Sequence, residues 1–398
     1  MKLKAVLVSF FDSNNIGDLL ISDALYKNVS NHFNEVIKID YLKGTRIANT
    51  SELSIDPYHP QTVNKNKSKK TIISEKLAEL KLTPLNYFYL STIRKYPLTE
   101  FEEEVKDADA LIIGGGNMIF DIFERTLAAA QFESYVDTAK KHKKKVYAIS
   151  LGIGPFQTNY QEKKAVKALS KCDYVTFRDE KSYNIYKKNN SQTNAPVHVT
   201  VDPVFSMPKR RELAKDNHTI GINIINNPEY HQDKRIYNKV VDGYVLLIKE
   251  LTEGQNKQVK LFSTETRDYE VIQEVYDRIE QKDCVSIVEI HNVSELMNLY
   301  SDISILIAAR MHAMIIAYTQ LLPVVGLSWQ PKVEAMFDII GEPESYFDLT
   351  KIQESFDSIL TVASDKLTND HTSEMIQKLE EIRLKEQLNT DILKELSK

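Results

Sequence analysis

Apolar and polar positions alternate in blocks along this chain. In the first half, short apolar runs stand at Ala5–Phe10, Val36–Tyr41, Ala110–Ile113, Val146–Leu151, Tyr174–Phe177 and Val197–Val201. Most are continuous in Val, Ile and Leu, as expected of parallel strands covered on both faces. Between them the spacing turns helical, as in Leu19–Phe33 and Leu127–Lys144. The second of these ends among Lys140, Lys141, Lys143, Lys144 and Lys145, and cations suit a helix carboxyl end. That cluster predicts a solvated helix terminus rather than a binding patch.

The alternation breaks at Pro203–Asp216, which holds Pro203, Pro208, Lys209, Arg210 and Arg211, and then restarts. Strands are predicted at Ile220–Ile225, Val259–Phe262, Val285–Ile290, Ile303–Ile307 and Pro323–Leu327, with helices at Arg235–Leu251, Asp268–Gln281, Met311–Leu321 and Val333–Ile340. Repeated strand–helix units give parallel sheets with right-handed crossovers. The expected fold is therefore α/β, with two Rossmann-like, doubly wound parallel-sheet domains facing a cleft. The expected division is 1–207, 208–365 and a tail at 366–398, whose helix at about Ser373–Leu396 can pack near the domain junction.

Two stretches interrupt this pattern. Asp56–Lys70 has little apolar content and reads as an exposed insertion. Leu85, Tyr87, Phe88, Tyr89, Leu90 and Ile93 stand beside Arg94 and Lys95. This second stretch reads first as an ordinary helix packed on the sheet, and second as a peripheral contact with an anionic membrane surface.

Length and composition narrow the choices. A chain of 398 residues exceeds one ordinary core and suits two domains. The formal net charge of −5 argues against a nucleic-acid partner held by bulk attraction, while leaving room for a local basic pocket. No run approaches the roughly 18 apolar residues that span a bilayer. The basic-then-apolar start reaches Asp12-Ser13-Asn14-Asn15 instead of a small-residue cleavage site, so a buried first strand is expected. Cys172 and Cys284 have neither ligand spacing nor a nearby partner and are expected to fill space in a reducing compartment. Nothing in the spacing of acids and histidines calls for a metal.

Ligands of open parallel sheets bind beyond the carboxyl ends of the strands, so those positions hold the candidate chemistry. Asn14-Asn15-Ile16-Gly17-Asp18 follows the first strand. Gly17 permits a tight turn and Asp18 can cap the helix; the segment is either a plain turn or presents Asn14 and Asn15 to a ligand. Gly114-Gly115-Gly116-Asn117 follows Ala110–Ile113 and would let a ligand approach bare backbone. It holds three of the chain's 12 glycines but matches no nucleotide fingerprint. Leu151-Gly152-Ile153-Gly154-Pro155 is a weaker version of the same signal. Arg178-Asp179 either points across the cleft or forms a surface ion pair. Asp202 is a general base, an acceptor for sugar hydroxyls, or the start of a turn at Pro203.

The sharpest signal lies in the second half, where Ile303–Ile307 runs into Ala308-Ala309-Arg310-Met311-His312. Arg310 and His312 thereby fall where a strand passes into a helix amino end, a natural anion site. Arginine offers a bidentate fork and histidine a proton near neutral pH. Met311 is expected to anchor the turn by packing inward. Trp329-Gln330-Pro331-Lys332 stands one strand further on, with Lys332 facing the same anion.

Arg310-Met311-His312-Ala313, Leu322–Leu327 and Pro331-Lys332-Val333-Glu334 resemble the carboxyl-terminal signature of the polysaccharide pyruvyl transferases. Asn15-Ile16-Gly17-Asp18, Gly114-Gly115-Gly116-Asn117 and Phe177-Arg178-Asp179-Glu180 with Ser182 are similar to that family's amino-terminal elements, in the same order. The resemblance implies a glycosyltransferase-B-like pair of domains, the first on the acceptor side and the second on the donor side. It implies no cofactor, phosphoenolpyruvate as co-substrate, and a sugar or lipid-linked oligosaccharide as acceptor for cell-surface or exopolysaccharide synthesis. The location it implies is cytoplasmic, extending to the inner face of the membrane. Arg178 and Arg310 would hold the donor, His312 and Lys332 would complete the catalytic set, and Asn15, Gly17, Asp18, Gly115, Gly116, Asn117, Asp202, Met311 and Trp329 would bind substrate. Members often carry tyrosine where this chain reads Ser328-Trp329-Gln330. The alternatives are a nucleotide-sugar glycosyltransferase of the same fold and a non-enzymatic assembly protein that retains it.

Overall fold

The computed structural model describes residues 3–48, 53–57, 98–121, 128–156, 158–189, 195–209, 218–228 and 230–396. The first sheet contains β1 (Lys4–Ser9), β2 (Glu35–Asp40), β3 (Ala110–Asp121), β4 (Lys145–Phe156), β5 (Tyr174–Phe177) and β6 (Val197–Val199). Its order is β2-β1-β3-β4-β5-β6, and every pairing is parallel. Around it lie α1 (Ile16–Ser30), α2 (Thr99–Lys106), α3 (Ala128–Lys141), α4 (Asn159–Leu169) and α5 (Glu180–Asn189). The order reverses between β1 and β3, which opens a crevice at their carboxyl ends.

The second sheet contains β7 (Thr219–Asn223), β8 (Gln258–Phe262), β9 (Val285–Ile287), β10 (Ile305–Ala308), β11 (Val324–Ser328) and β12 (Tyr346–Asp348). Its order is β12-β11-β10-β7-β8-β9, again parallel throughout. The accompanying helices are α6 (Lys234–Lys249), α7 (Tyr269–Asp277), α8 (Val293–Asp302), α9 (Met311–Thr319), α10 (Pro331–Ile340) and α11 (Phe356–Thr368). Here the reversal falls between β7 and β10, and Arg310 follows β10 directly. The two doubly wound sheets make a GT-B-like α/β fold.

The sequence pattern placed most strands within a residue or two and missed the short edge strand β12. It also ended β3 and β4 too early, by reading glycines as terminators. Both strands run past their neighbours, pairing Gly116 with Leu151, Asn117 with Gly152 and Asp121 with Phe156. The resulting two-stranded ribbon forms a wall beside the crevice. The lysines ending α3 find acids on the surface: Lys140 bonds Asp173 at 2.5 Å and Lys141 bonds Glu102 at 3.0 Å. Most of Asp56–Lys70, the aromatic and basic stretch 85–95, and 210–216 of the linker lie outside the described residues.

One hydrophobic core is shared between the halves. Leu7, Leu20, Ile21 and Leu25 join Met314, Ile315, Tyr318, Phe337, Met375 and Leu379 in a single cluster. Helix α9 (MHAMIIAYT) is apolar nearly all round, which is the pattern of a buried helix. Every residue of it is buried except His312. The last helix, α12 (Thr372–Leu396), rests on this core through Met375, Leu379, Ile382 and Leu393. Arg383 donates to the carbonyls of Phe205 and Met207, and Asn389 bonds Thr176 and Ser150, so these polar contacts fasten the helix to the first half. Cys172 is buried and its thiol is pushed up to about 12 by burial, which keeps it protonated and unreactive. Among the described residues, no helix is long and apolar enough to cross a membrane.

Candidate active site

The carboxyl edges of the two sheets meet around a cleft of about 550 Å³, lined from both halves by Asn15, Asp18, Asn117, Arg178, Glu265, Arg310, Met311, His312, Trp329 and Lys332. The turn after β1 crosses to the second half. Ile16 N–H donates to Thr264 O at 2.9 Å, and Asn15 Nδ2 donates to Glu265 Oε2 at 3.1 Å. The helix cap is Asn15 and not Asp18: its Oδ1 accepts from Gly17 N at 2.8 Å, as an extended residue before a helix can. Asp18 is thereby left on the cleft wall, where its Oδ2 accepts from Ser13 Oγ at 3.2 Å.

Arg310 opens α9, and its backbone N–H donates to Asn223 Oδ1 at 3.0 Å, locking the turn to β7. Nε and Nη2 form a fork on Asp268 at 2.7 and 2.6 Å, while Nη1 pairs with Glu265. Asp268 is fully buried and also accepts from Ser263 Oγ and Asn226 N. Burial would pull the guanidinium pKa down, but the two carboxylates outweigh it and raise the value. For Glu265, burial dominates over the pull of Arg310 and raises its carboxyl. Arg310 is therefore a charged, immobilised side chain.

Arg178 follows β5 in the other half and donates Nη1 to Asp202 Oδ2 at 2.9 Å. Its guanidinium lies over Gly152, where an added Cβ would come within 2.9 Å of Nε. The same Asp202 oxygen stands 3.5 Å from Nε2 of His312, and Oδ1 accepts from Val204 N at 3.1 Å. Asp202 is only 3% exposed. Burial raises its carboxyl, but His312, Arg178 and the Val204 N–H overcome this and hold it at about 2. Asp202 thus does not face the cleft, contrary to its reading as a contact for sugar hydroxyls. It is a buried anion behind the two groups that do.

The other expected positions divide clearly. Met311 is buried in the shared core and reaches the cleft. Trp329 donates its indole N–H to Ala309 O at 3.0 Å, and Lys332 Nζ lies 5.0 Å from its ring centroid. Burial, Arg178 and Arg310 together bring the Lys332 amine down to about 8, against Asp18 and Glu265. Among the described residues no carboxylate forms an ion pair with Lys332. Asn117 donates to Gly154 O at 3.0 Å and lines the cleft with Oδ1 unbonded.

Gly115 and Gly116 do not line the cleft. They belong to β3 at φ +81° and +83°, and a Cβ on Gly115 would strike Ile21 at 2.4 Å. The small size of Gly115 lets α1 close on the sheet, and Gly116 answers to its positive φ, so both serve the backbone and its packing. Gly17 has a comparable task. A Cβ there would come within 2.3 Å of His312, so the glycine makes room for the imidazole. Glu265 and Asp268 escaped the sequence reading, although Thr264–Asp268 directly follows β8 and the strand-end rule applied to the first sheet would have found it.

Comparison with known proteins agrees with this fold. UDP-GlcNAc 2-epimerase from Methanocaldococcus jannaschii aligns over 93% of this chain and 94% of its own, with TM-score 0.52 and 15% identity. S. aureus MnaA in its UDP co-structure gives 0.53 at 10% identity, covering 95% and 91%. UDP-N-acetylglucosamine 2-epimerase from Rickettsia bellii gives 0.51 at 10%, covering 99% and 98%. At such identities the likeness is one of fold. Sequence likeness is more specific: a profile of polysaccharide pyruvyl transferases matches residues 15–331, from the Asn15 cap to the turn that carries Trp329. With that match spanning both strand-end clusters of the cleft, the chain belongs to the polysaccharide pyruvyl transferase family.

Proposed function

We propose that this cleft transfers the pyruvyl group of phosphoenolpyruvate to two hydroxyls of a sugar, forming a ketal and releasing phosphate. The observation that carries the reading is Lys332, an ammonium without a carboxylate partner among the described residues, lining the cleft with Arg178 and Arg310. Phosphoenolpyruvate carries about three negative charges near pH 7, from a carboxylate and a phosphate monoester. A partly desolvated ammonium next to guanidinium N–H groups suits such an anion. His312, at the amino end of α9, protonates the methylene carbon: the C=C electron pair takes the proton, and positive character develops on the adjacent carbon. One sugar hydroxyl adds there, the second displaces phosphate, and the two hydroxyl protons balance the reaction. Asp18 is the cleft carboxylate suited to accept a proton from the sugar, because Asp202 is buried behind Arg178 and His312. Trp329 offers ring surface to the acceptor. The setting is synthesis of a cell-surface or secreted polysaccharide in the cytoplasm, with a free or lipid-linked glycan as acceptor and no dissociable cofactor.

Incubation with phosphoenolpyruvate and a panel of glycans tests this. Phosphate release with a mass gain of one pyruvyl ketal is expected. Release of nucleoside diphosphate from a sugar nucleotide instead would select the glycosyltransferase alternative, and phosphoenolpyruvate binding without turnover on any acceptor would favour an assembly role.

A further inference from the structure

His312 presents two different nitrogens. Nε2 is buried, makes no hydrogen bond within normal distance, and stands 3.5 Å from Asp202 Oδ2. Nδ1 lies on the Gly17 side of the ring, toward the start of α1. The ring is clamped there: Gly17 has no Cβ to push it away, and Met311 fixes the turn behind it in the core. The carboxylate that faces Nε2 belongs to the first half of the molecule, whereas the imidazole belongs to the second.

We infer that Asp202 is a positioning residue for His312: it fixes the imidazole with Nε2–H toward its own carboxylate, so that Nδ1 is the nitrogen that exchanges a proton with the substrate. The inference rests on the proposed role of His312 as the acid and adds which nitrogen acts and what orients it. A carboxylate behind an imidazole selects one tautomer and one ring orientation. This carboxylate can do so because it stays ionised, with Arg178 and the Val204 N–H on its other lone pairs. The charged groups around the ring are Asp202 and Arg178 from the first sheet's edge, Asp18 from α1, Arg310 from the turn itself, Glu265 from the loop after β8 and Lys332 from α10. Of these, Asp202 forms the only ion pair with the imidazole among the described residues. Asp202 Oδ2 also joins the acid to Arg178, so the donor-facing arginine and the proton donor share one anchor and are assembled only when the two halves are docked.

Asp202→Asn tests the inference. Transfer is expected to fall about 10–100-fold in kcat, the size usual when a partner orienting a reacting ligand is lost. Asp202→Glu should recover part of the loss. In parallel, 15N spectra of histidine-labelled protein, with the His312 signals assigned by their loss in His312→Gln, should show the neutral ring protonated on Nε2, without phosphoenolpyruvate present. An unchanged kcat in Asp202→Asn, or a wild-type ring protonated on Nδ1, would overturn the assignment. Should Asp202→Asn not fold, because Arg178 loses its buried partner, the wild-type tautomer decides by itself. If the ring carries Nε2–H but no glycan is ever pyruvylated, the substrate proposal fails and the Asp202–His312 arrangement stands. Turnover with a ring protonated on Nδ1 fails this inference alone.

Discussion

Each half of the molecule brings one arginine to the cleft, and their surroundings differ. Arg310 spends three N–H donors on Asp268 and Glu265, one of them a fully buried carboxylate. Arg178 spends one on Asp202, which also faces a histidine. An arginine so heavily countered acts chiefly as a strut between β8, β10 and the cleft floor and adds little net positive charge. The family resemblance implied that both arginines hold the donor, although the residues themselves left Arg178 open between the cleft and a surface ion pair. If the cleft takes the proposed anion, the more fully countered Arg310 would chiefly hold the cleft floor, and the attraction would fall mainly to Arg178 and to Lys332, which has no carboxylate ion pair among the described residues.

That contrast can be broken in stages. The largest effect is expected at the ring between the two arginines. His312→Ala should lower transfer by about 10²–10⁴-fold in kcat while leaving the unfolding transition close to wild type. Near-normal turnover in this variant would remove the acid from the account. Next comes Arg310→Met, which strands Asp268 and Glu265 and should cost about 3–5 kcal/mol of stability by urea unfolding. Loss of phosphoenolpyruvate affinity with unchanged stability would instead make Arg310 a clamp like Arg178. Arg178→Met should reduce affinity for phosphoenolpyruvate about 10–100-fold in calorimetry, the loss of one or more hydrogen bonds to a charged group, and it should also cost stability because it strands the buried Asp202.

The smallest effect is a pH dependence. Lys332 loses its proton at about 8, so its pull on an anion is full below that pH and is lost as pH rises through it. The phosphate of the donor gives up its own second charge near pH 6, so affinity should be greatest between about 6 and 8. In Lys332→Met the decline above pH 8 should vanish from the calorimetric titration.

Much of this arrangement was legible in the sequence, because strand-end position is a local property. Continuous Val and Ile runs marked most strands, and the residues after them, Arg178, Arg310 and His312, do meet in one cleft. What escaped reading depends on contacts between distant segments. Asp202 was legible as a turn former, and it does cap the turn at Pro203 through Val204 N–H, but nothing near it in sequence shows that Arg178 and His312 will close over its other carboxylate oxygen. Gly115 and Gly116 looked like a ligand cradle because the sequence does not reveal that Ile21 will press against Gly115 or that both residues continue β3 at positive φ. Asp268 was read as the start of a helix, and only its burial beneath Arg310 marks it as the strut's counterion.

A crystal structure of the protein with phosphoenolpyruvate is the most direct measurement. The account predicts the phosphate and carboxylate held between Arg178 and Lys332, with the methylene carbon facing Nδ1 of His312. A donor bound away from Lys332, or with its methylene carbon turned from the imidazole, would contradict it.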